Sequence, residues 1–363
     1  MKSSWKIKSI AGIAISIHWT FTLLIAWIIF TNLRAGLNAV EIGWTILFIL
    51  SLFLCVTLHE LGHALAAKRY GIKTKDITLY PIGGVARLER IPEKPTQELV
   101  VALAGPMVNI VIMILLSPFI ISANLQSGEA ENLMRINHTN FLPMLGILNV
   151  WLAVFNLIPA FPMDGGRVLR ALLSMKMTRI RATEIASFIG KALAMGFVFI
   201  GFYSNPFLIF IGLFIFLGAH AENEMIKTST VLDEFTGRHA LMTRYVSLDK
   251  TQTISTAIKS LLDGETRNFL ITDNGQPYGV VSREDIIKGI GRAGENAPLE
   301  TIANKNLVYF DIDTPLSEIF KSFQEHKVPI ALIKQSGEFT GIIDAENIAE
   351  LIMISSAKKT AEN

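Results

Sequence analysis

Over the first 220 residues, long apolar stretches alternate with short polar ones; beyond them the chain reads as an ordinary soluble sequence. A helix needs about 20 mostly apolar residues to span a bilayer. Six candidate stretches appear, at roughly 12–33, 42–67, 97–122, 140–160, 185–203 and 206–220, the sixth of them short. The fifth and sixth are separated only by Ser204, Asn205 and Pro206, which predict a tight turn. The fourth runs into "NLIPAFPMDGG", where Pro159 and Pro162 break a helix. Irregular backbone at membrane depth persists only where protein shields it or a wet cavity adjoins it. The break therefore marks a candidate site.

Between the second and third stretches, "DITLYPIGGVARLE" (76–89) holds short β-prone runs around Pro81 and Gly83-Gly84. That pattern predicts a small hairpin. The first stretch follows a basic head, "MKSSWKIK", as a signal peptide would. Its apolar body continues to about Leu33 without a small-residue cleavage pattern, so it reads as a retained anchor.

Positive charge orients the spans. The 68–96 connection holds Lys68, Arg69, Lys73, Lys75, Arg87, Arg90 and Lys94. Arg167, Arg170, Lys176, Arg179 and Arg181 lie in 161–184, and Lys2, Lys6 and Lys8 in the head. Against these, 34–41 offers Arg34, and 123–139 offers Arg135 opposed by Glu129 and Glu131. With six alternating spans the basic segments share one side. The expectation is a multi-pass protein of the cell membrane with both termini cytoplasmic.

Composition agrees: 51% of residues are hydrophobic and 18% charged, against about 25% charged in soluble domains. A net charge of +2 without a basic or aromatic-interleaved patch gives no basis for a nucleic-acid partner. Cys55 is the only cysteine, so no intrachain disulfide forms. It lies one turn before His59 on the same face, where small apolar packing suits it better than metal ligation. His18 reads as a structural or interfacial histidine, and His138 as a solvated residue of an outer loop.

The second stretch ends in "LHELGH". His59 and His63, four apart, share one helix face, and both imidazoles can reach one metal ion. Glu60 beside the first histidine can contact a metal-bound water and serve as general base. Ionisable groups inside a span are costly and point to function. A catalytic zinc also needs a third protein ligand and an open position. Asp164, the acid at the broken end of the fourth span, is either that ligand or the N-cap of a helix starting at Gly165.

These residues resemble the site-2 proteases, zinc metalloproteases that cut inside the membrane. The likeness lies in "HELGH" within a span, "GPMVN" (105–109) and "NLIPAFPMDGG", in that order, and covers 1–220. It implies one catalytic Zn2+ per chain held by His59, His63 and Asp164, with Glu60 as the catalytic acid/base. It further implies that Asn156, Pro159 and Pro162 hold a substrate backbone extended near the metal. Gly105 and Asn109 would serve close helix packing. The 76–89 hairpin would offer a strand edge to an unwound transmembrane substrate.

Beyond Ala221 a repeat appears: "FLITDNGQPYGVVSREDI" (269–286) aligns with "IALIKQSGEFTGIIDAENI" (330–348). Gly275 matches Gly337 and Gly279 matches Gly341, each at an offset of 62. Each unit reads helix, strand, turn, strand, helix, and two would bury a common sheet face. The pair resembles tandem CBS domains, which implies an adenine nucleotide, ATP or AMP, near Ser282, Arg283 and Asp285. In the second unit Asp344 stands in the hydroxyl's place and would repel phosphate. CBS pairs also suggest a homodimer.

The expected fold is thus a multi-pass α-helical membrane protein of six transmembrane helices with a small β-hairpin, followed by a soluble α/β tandem CBS domain. The divisions fall at 1–220 for the protease domain, 221–239 for a linker, and 240–295 and 296–355 for the two CBS units. The expected function is an intramembrane zinc endopeptidase cleaving transmembrane segments of membrane-protein substrates, regulated by nucleotide. The alternatives are a CBS-regulated membrane transporter and a catalytically inactive membrane scaffold. A transporter would distribute polar residues along several spans, whereas here they cluster at 59–63 and 164; Glu60 argues against a scaffold.

Overall fold

The structure, a computed structural model, describes residues 4–81, 83–89, 92, 94–122, 135–264, 267–326 and 328–361. Lys2, Arg90, Glu129 and Glu131, which enter the charge reading, lie outside them. The chain divides into two compact units, Met1–Glu224 and Met225–Asn363.

The amino-terminal unit begins with a departure from expectation. Residues 12–33 do not form one helix. β1 (Ser4–Ile10) and β2 (Ile13–His18) pair antiparallel around a turn at Ala11 and Gly12, and the helix α1 spans only Phe21–Arg34. An apolar run cannot by itself distinguish strand from helix. Here β-branched Ile13, Ile15 and Ile17 alternate with the small Ala14 and Ser16, which suits a pleated strand.

Helix α2 (Ala39–Arg69) starts at Asn38. The Asn38 side chain accepts the N–H groups of Val40 and Glu41, and Glu41 returns to the Asn38 N–H, a reciprocal cap. No charge follows until Glu60. At 1.5 Å per residue the helix is about 46 Å long, more than the ~30 Å hydrocarbon layer. β3 (Thr74–Tyr80) then lies parallel to β2, and β4 (Gly83–Leu88) returns antiparallel to β3. The expected 76–89 hairpin therefore exists, as half of a four-stranded sheet ordered β1-β2-β3-β4. Ile13 and Ile77 pack on Ala64 of α2, so the sheet lies against the histidine-bearing helix.

Four further apolar elements follow: α3 (Pro95–Ser122), α4 (Phe141–Asn156), then, after the short α5 (Asp164–Ser174), α6 (Arg179–Tyr203) and α7 (Phe207–Asp233). Among the described residues, α2, α3, α6 and α7 are long and apolar enough to cross a membrane; α1 and α4, at 14 and 16 residues, are apolar but shorter. α6 and α7 outrun their apolar stretches, and residues 221–233 of the expected linker are helical. Phe188, Phe199, Phe202, Phe207, Phe210 and Phe214 stand exposed on α6 and α7. So extensive an apolar exterior belongs in lipid.

In the second unit, β5 (Ser247–Asp249), α8 (Ile254–Asp263), β6 (Asn268–Asp273), β7 (Gln276–Ser282) and α9 (Arg283–Ala293) form one repeat. β8 (Tyr309–Asp311), α10 (Leu316–His326), β9 (Ile330–Gln335), β10 (Glu338–Asp344) and α11 (Ala345–Ala361) form the other. Each builds a three-stranded sheet from a hairpin and a short parallel strand. Both hairpins turn through two residues of positive φ, Asn274-Gly275 and Ser336-Gly337. The repeats exchange arms. Asn304, ahead of the second repeat, bridges to Val280 of the first, and Met242, ahead of the first, bridges to Ile342 of the second. Gly279 and Gly341 leave room for those arms. Leu270 and Val280 share a core with Ile330, Leu332 and Ile342, the expected common sheet face.

Candidate metal centre

Helix α2 presents His59 and His63 one turn apart, both buried. Asp164 opens α5 and is buried beside them. The two His Nε2 atoms lie 3.1 Å apart, and Asp164 Oδ2 lies 3.1 Å from His59 Nε2 and 3.0 Å from His63 Nε2. The N-cap alternative for Asp164 does not hold: α5 begins at Asp164 itself, after Met163, with no side-chain cap. Its carboxylate is drawn to two imidazoles over a hundred residues away in sequence.

The outer ring nitrogens explain why this triangle suits a cation. His63 Nδ1 donates to the Val101 carbonyl at 2.7 Å, and His59 Nδ1 donates to Asn109 Oδ1 at 2.5 Å. Neutral rings protonated at Nδ1 turn bare Nε2 lone pairs towards each other and towards a carboxylate oxygen. Three electron-rich atoms at such separations repel unless a positive ion lies among them. A tetrahedral zinc with bonds of about 2.0–2.1 Å separates its ligands by roughly 3.3–3.4 Å, close to the observed edges. Space also fits: a Cβ on Gly105 would lie 2.2 Å from His63 Nε2 and 2.7 Å from His59 Nε2. Among the described residues, these three are the cluster able to hold a metal. Cys55 stays outside it, packed with Phe48, Ile136 and Leu145. Asn109, expected as packing, is instead a hydrogen-bond partner of His59.

Glu60 faces the sheet. Its Oε2 accepts the Ala86 N–H of β4 at 3.2 Å. At Gly84 a Cβ would lie 2.8 Å from Glu60 Cγ, so β4 approaches the glutamate as closely as it does because residue 84 lacks a side chain.

Helix α5 is set by buried charge. Arg170, with no exposed side-chain surface, pairs with Glu98 of α3 and Glu222 of α7, at 2.7 and 2.6 Å. Its guanidinium also stands 5.0 Å from the Phe161 ring centroid. The broken segment ahead of Asp164 is shielded by protein at Ala160, Phe161 and Met163, while Leu157, Pro159 and Pro162 are exposed. Ala160 and Met163 pack with Ala194 and Ile215, and Phe161 with Ala186 and Ala219. A Cβ on Gly165 would strike the carbonyls of Leu157 and Ile158 at 2.4 and 2.2 Å, so the glycines after Asp164 let α5 fold back on that segment.

The remaining sequence-derived positions fall as follows. Asn156 is half-buried and donates to the Leu152 carbonyl of its own helix; Pro159 and Pro162 are exposed. His18 bonds to Thr20 Oγ1 at 2.8 Å and tilts over Tyr80; His138 is exposed. In the second unit, Ser282 and Asp285 form a reciprocal cap at the start of α9, with Ser282 Oγ donating to Asp285 Oδ2 at 2.6 Å. Asp344 and Asn347 repeat the position, Asp344 Oδ1 accepting the Asn347 N–H at 2.7 Å. Outside the sequence reading lay Asn149, Arg170 as an ion-pair centre, and the approach of Gly84, read there only as part of a turn, to Glu60. The available signals were an amide inside the apolar "GILNVWL" and an arginine inside "RVLRALL".

Two imidazoles and a distant carboxylate, with a glutamate alongside and a bundle of apolar helices around them, define a membrane-embedded metallohydrolase. Residues 47–130 and 117–197 match the model of peptidase family M50, and 238–292 and 299–354 match the CBS domain model. Zinc metalloprotease MJ0392 of Methanocaldococcus jannaschii is 33% identical over 360 residues, 99% of each chain. Stage IV sporulation protein FB of Bacillus subtilis is 29% identical over 130 residues, 36% of this chain and 41% of that one. A solved structure, the site-2 protease from M. jannaschii, is 40% identical over 61% of this chain and 95% of its own, with a TM-score of 0.45. The chain belongs to peptidase family M50, the site-2 proteases, and carries a tandem CBS pair.

Proposed function

We propose that the chain is an intramembrane zinc endopeptidase cutting the transmembrane segments of other membrane proteins, with one catalytic zinc held by His59, His63 and Asp164. The observation that carries this reading is the convergence of His59 Nε2 and His63 Nε2, on the apolar α2, and Asp164 Oδ2, at the start of α5, within 3.1 Å of one another. Zinc, when bound, supplies a Lewis acid that acidifies water and polarises the scissile carbonyl. Glu60 accepts the proton of the attacking water and later delivers it to the leaving amine.

A membrane helix must unwind before cleavage, and its freed N–H and C=O groups then need partners. The outer edge of β4, last in its sheet, provides them by strand addition, and Asn156, Pro159 and Pro162 hold the extended substrate near the metal. Crosslinkers along β4, at Gly83 to Leu88, should capture bound substrate; absence of adducts along the strand removes the clamp. Six spans, α1 and α4 included, would place both termini in the cytoplasm of a multi-pass cell-membrane protein. Residues 1–220 form the protease domain, 221–239 the linker, and 240–295 and 296–355 the CBS units. An adenine nucleotide near Ser282, Arg283 and Asp285 would regulate cleavage, and the CBS units would support a homodimer. Titration of the purified full chain with ATP and AMP tests the nucleotide; no binding at millimolar concentration eliminates it.

The deciding experiment for the enzyme is Glu60→Gln in purified, detergent-solubilised protein. Cleavage of a membrane substrate should cease while zinc stays bound at one per chain. Retained proteolysis overturns the assignment.

A further inference from the structure

The two histidines meet the same electronic requirement by different routes. His63 Nδ1 donates directly to a backbone carbonyl, Val101 O, which can only accept. His59 Nδ1 instead meets a side-chain amide, Asn109, whose oxygen and nitrogen have similar shape and opposite polarity. Left alone, that amide offers the ring either an acceptor or a donor. What decides is one step further out.

Asn109 Nδ2 donates to Asn149 Oδ1 at 2.8 Å, and Asn149 Nδ2 donates to the Leu145 carbonyl at 2.8 Å. Both asparagines are fully buried, at 0% exposure, so bulk water does not compete for either contact. The direction of the chain follows from its last member. Leu145 O accepts and cannot donate, so the Asn149 nitrogen faces it. The Asn149 oxygen then faces Asn109 and must meet a nitrogen, which leaves the Asn109 oxygen for His59. The ring must therefore carry its proton on Nδ1 and aim the Nε2 lone pair at His63 and Asp164. The relay crosses from α2 through α3 to α4 and ends on a backbone group whose polarity no rotamer can reverse.

We propose that Asn149 is a positioning residue of the metal centre: through Asn109 it sets the tautomer and orientation of His59. The inference rests on His59 being a metal ligand. Partners of this kind typically change metal affinity by about 10–100-fold when removed.

Zinc affinity is measured on the detergent-solubilised full chain by competition with a chromophoric chelator. Asn149→Ala should weaken zinc binding by about 10–100-fold. Asn149→Asp, in its neutral carboxyl form, donates its O–H to the Leu145 carbonyl and keeps an oxygen towards Asn109 Nδ2, so it should stay within about threefold of the unaltered chain. In an Asn109→Ala background, Asn149→Ala should add nothing, because the relay is already cut. In zinc-loaded protein labelled with 15N-histidine, Asn149→Ala should shift the His59 Nδ1–H resonance while that of His63, held by the Val101 carbonyl, stays in place. Undiminished zinc affinity in Asn149→Ala, or full additivity with Asn109→Ala, overturns the relay alone. Undiminished affinity in His59→Ala overturns the ligand role of His59, and the relay falls with it.

Discussion

Ala86 on β4 donates its backbone N–H to the Glu60 carboxylate on α2, 3.2 Å away. A strand edge and the proposed acid/base are thus in direct contact, although 26 residues separate them in sequence. One carboxylate oxygen is engaged by the sheet, which restricts the side chain to few rotamers and keeps it beside His59. The approach depends on Gly84, where a Cβ would lie 2.8 Å from Glu60 Cγ and 3.2 Å from Val56 Cγ1.

Gly84→Ala should therefore displace Glu60 without touching the metal ligands. A shift of about 1 Å in a catalytic group lowers turnover by roughly 100-fold. Zinc content should stay at one per chain while kcat/KM falls by that order. An unchanged kcat/KM would show that Glu60 does not depend on the strand.

Gly105→Ala addresses the metal ligands directly. Its new methyl would lie 2.2 Å from His63 Nε2 and 2.7 Å from His59 Nε2, inside the site itself. Zinc affinity should drop by more than about tenfold, since even indirect disturbance of ligands costs that much. Chelator competition reads the result, and circular dichroism should confirm that the helices remain.

Arg170→Met tests the buried ion pairs that hold α5. It would strip Glu222 of its Arg170 partner and leave buried Glu98, 3% exposed, with only the longer contact to Arg179 at 3.9 Å. Removing one partner of such a network destabilises by about 3–5 kcal/mol. Thermal unfolding in detergent should register the loss, and adding Glu98→Gln should recover part of it by removing one orphaned charge. If the double variant is less stable than the single one, the pairing is not what holds the helix.

Gly279 and Gly341, equivalent in the repeat, should differ in sensitivity. A Cβ at Gly341 would lie 2.5 Å from the Met242 carbonyl, whereas at Gly279 the nearest atoms stand at 3.1 Å. Backbone cannot yield as a side chain can, so Gly341→Ala should cost roughly 1–3 kcal/mol, the usual range for overpacking, and Gly279→Ala less. Hydrogen exchange along β9 and β10 should rise in the first variant. Equal exchange in both would remove the arm exchange as the reason for the repeated glycines.

What the chain determined unaided was local or periodic. Two histidines at a spacing of four share a helix face wherever that helix goes, and hydrophobic length alone marks α2, α3, α6 and α7 as membrane candidates. The offset of 62 between glycines exposed the repeat, and both turns duly show positive φ. The tertiary structure decided everything that depends on a distant partner. The run from Ile13 to His18 is as apolar as a span, and it is a strand because β1 and β3 supply its hydrogen bonds. Asp164 reads equally as cap or ligand until the fold brings it within 3.1 Å of both imidazoles. Asn149 is an amide inside the apolar α4, and Arg170 is one of two arginines on α5, until their partners on α3 and α7 come into place. The physical reason is that periodicity encodes which face of an element is buried, whereas the direction of a hydrogen bond or the sign of a buried charge has meaning only against the group opposite, which three-dimensional packing alone selects.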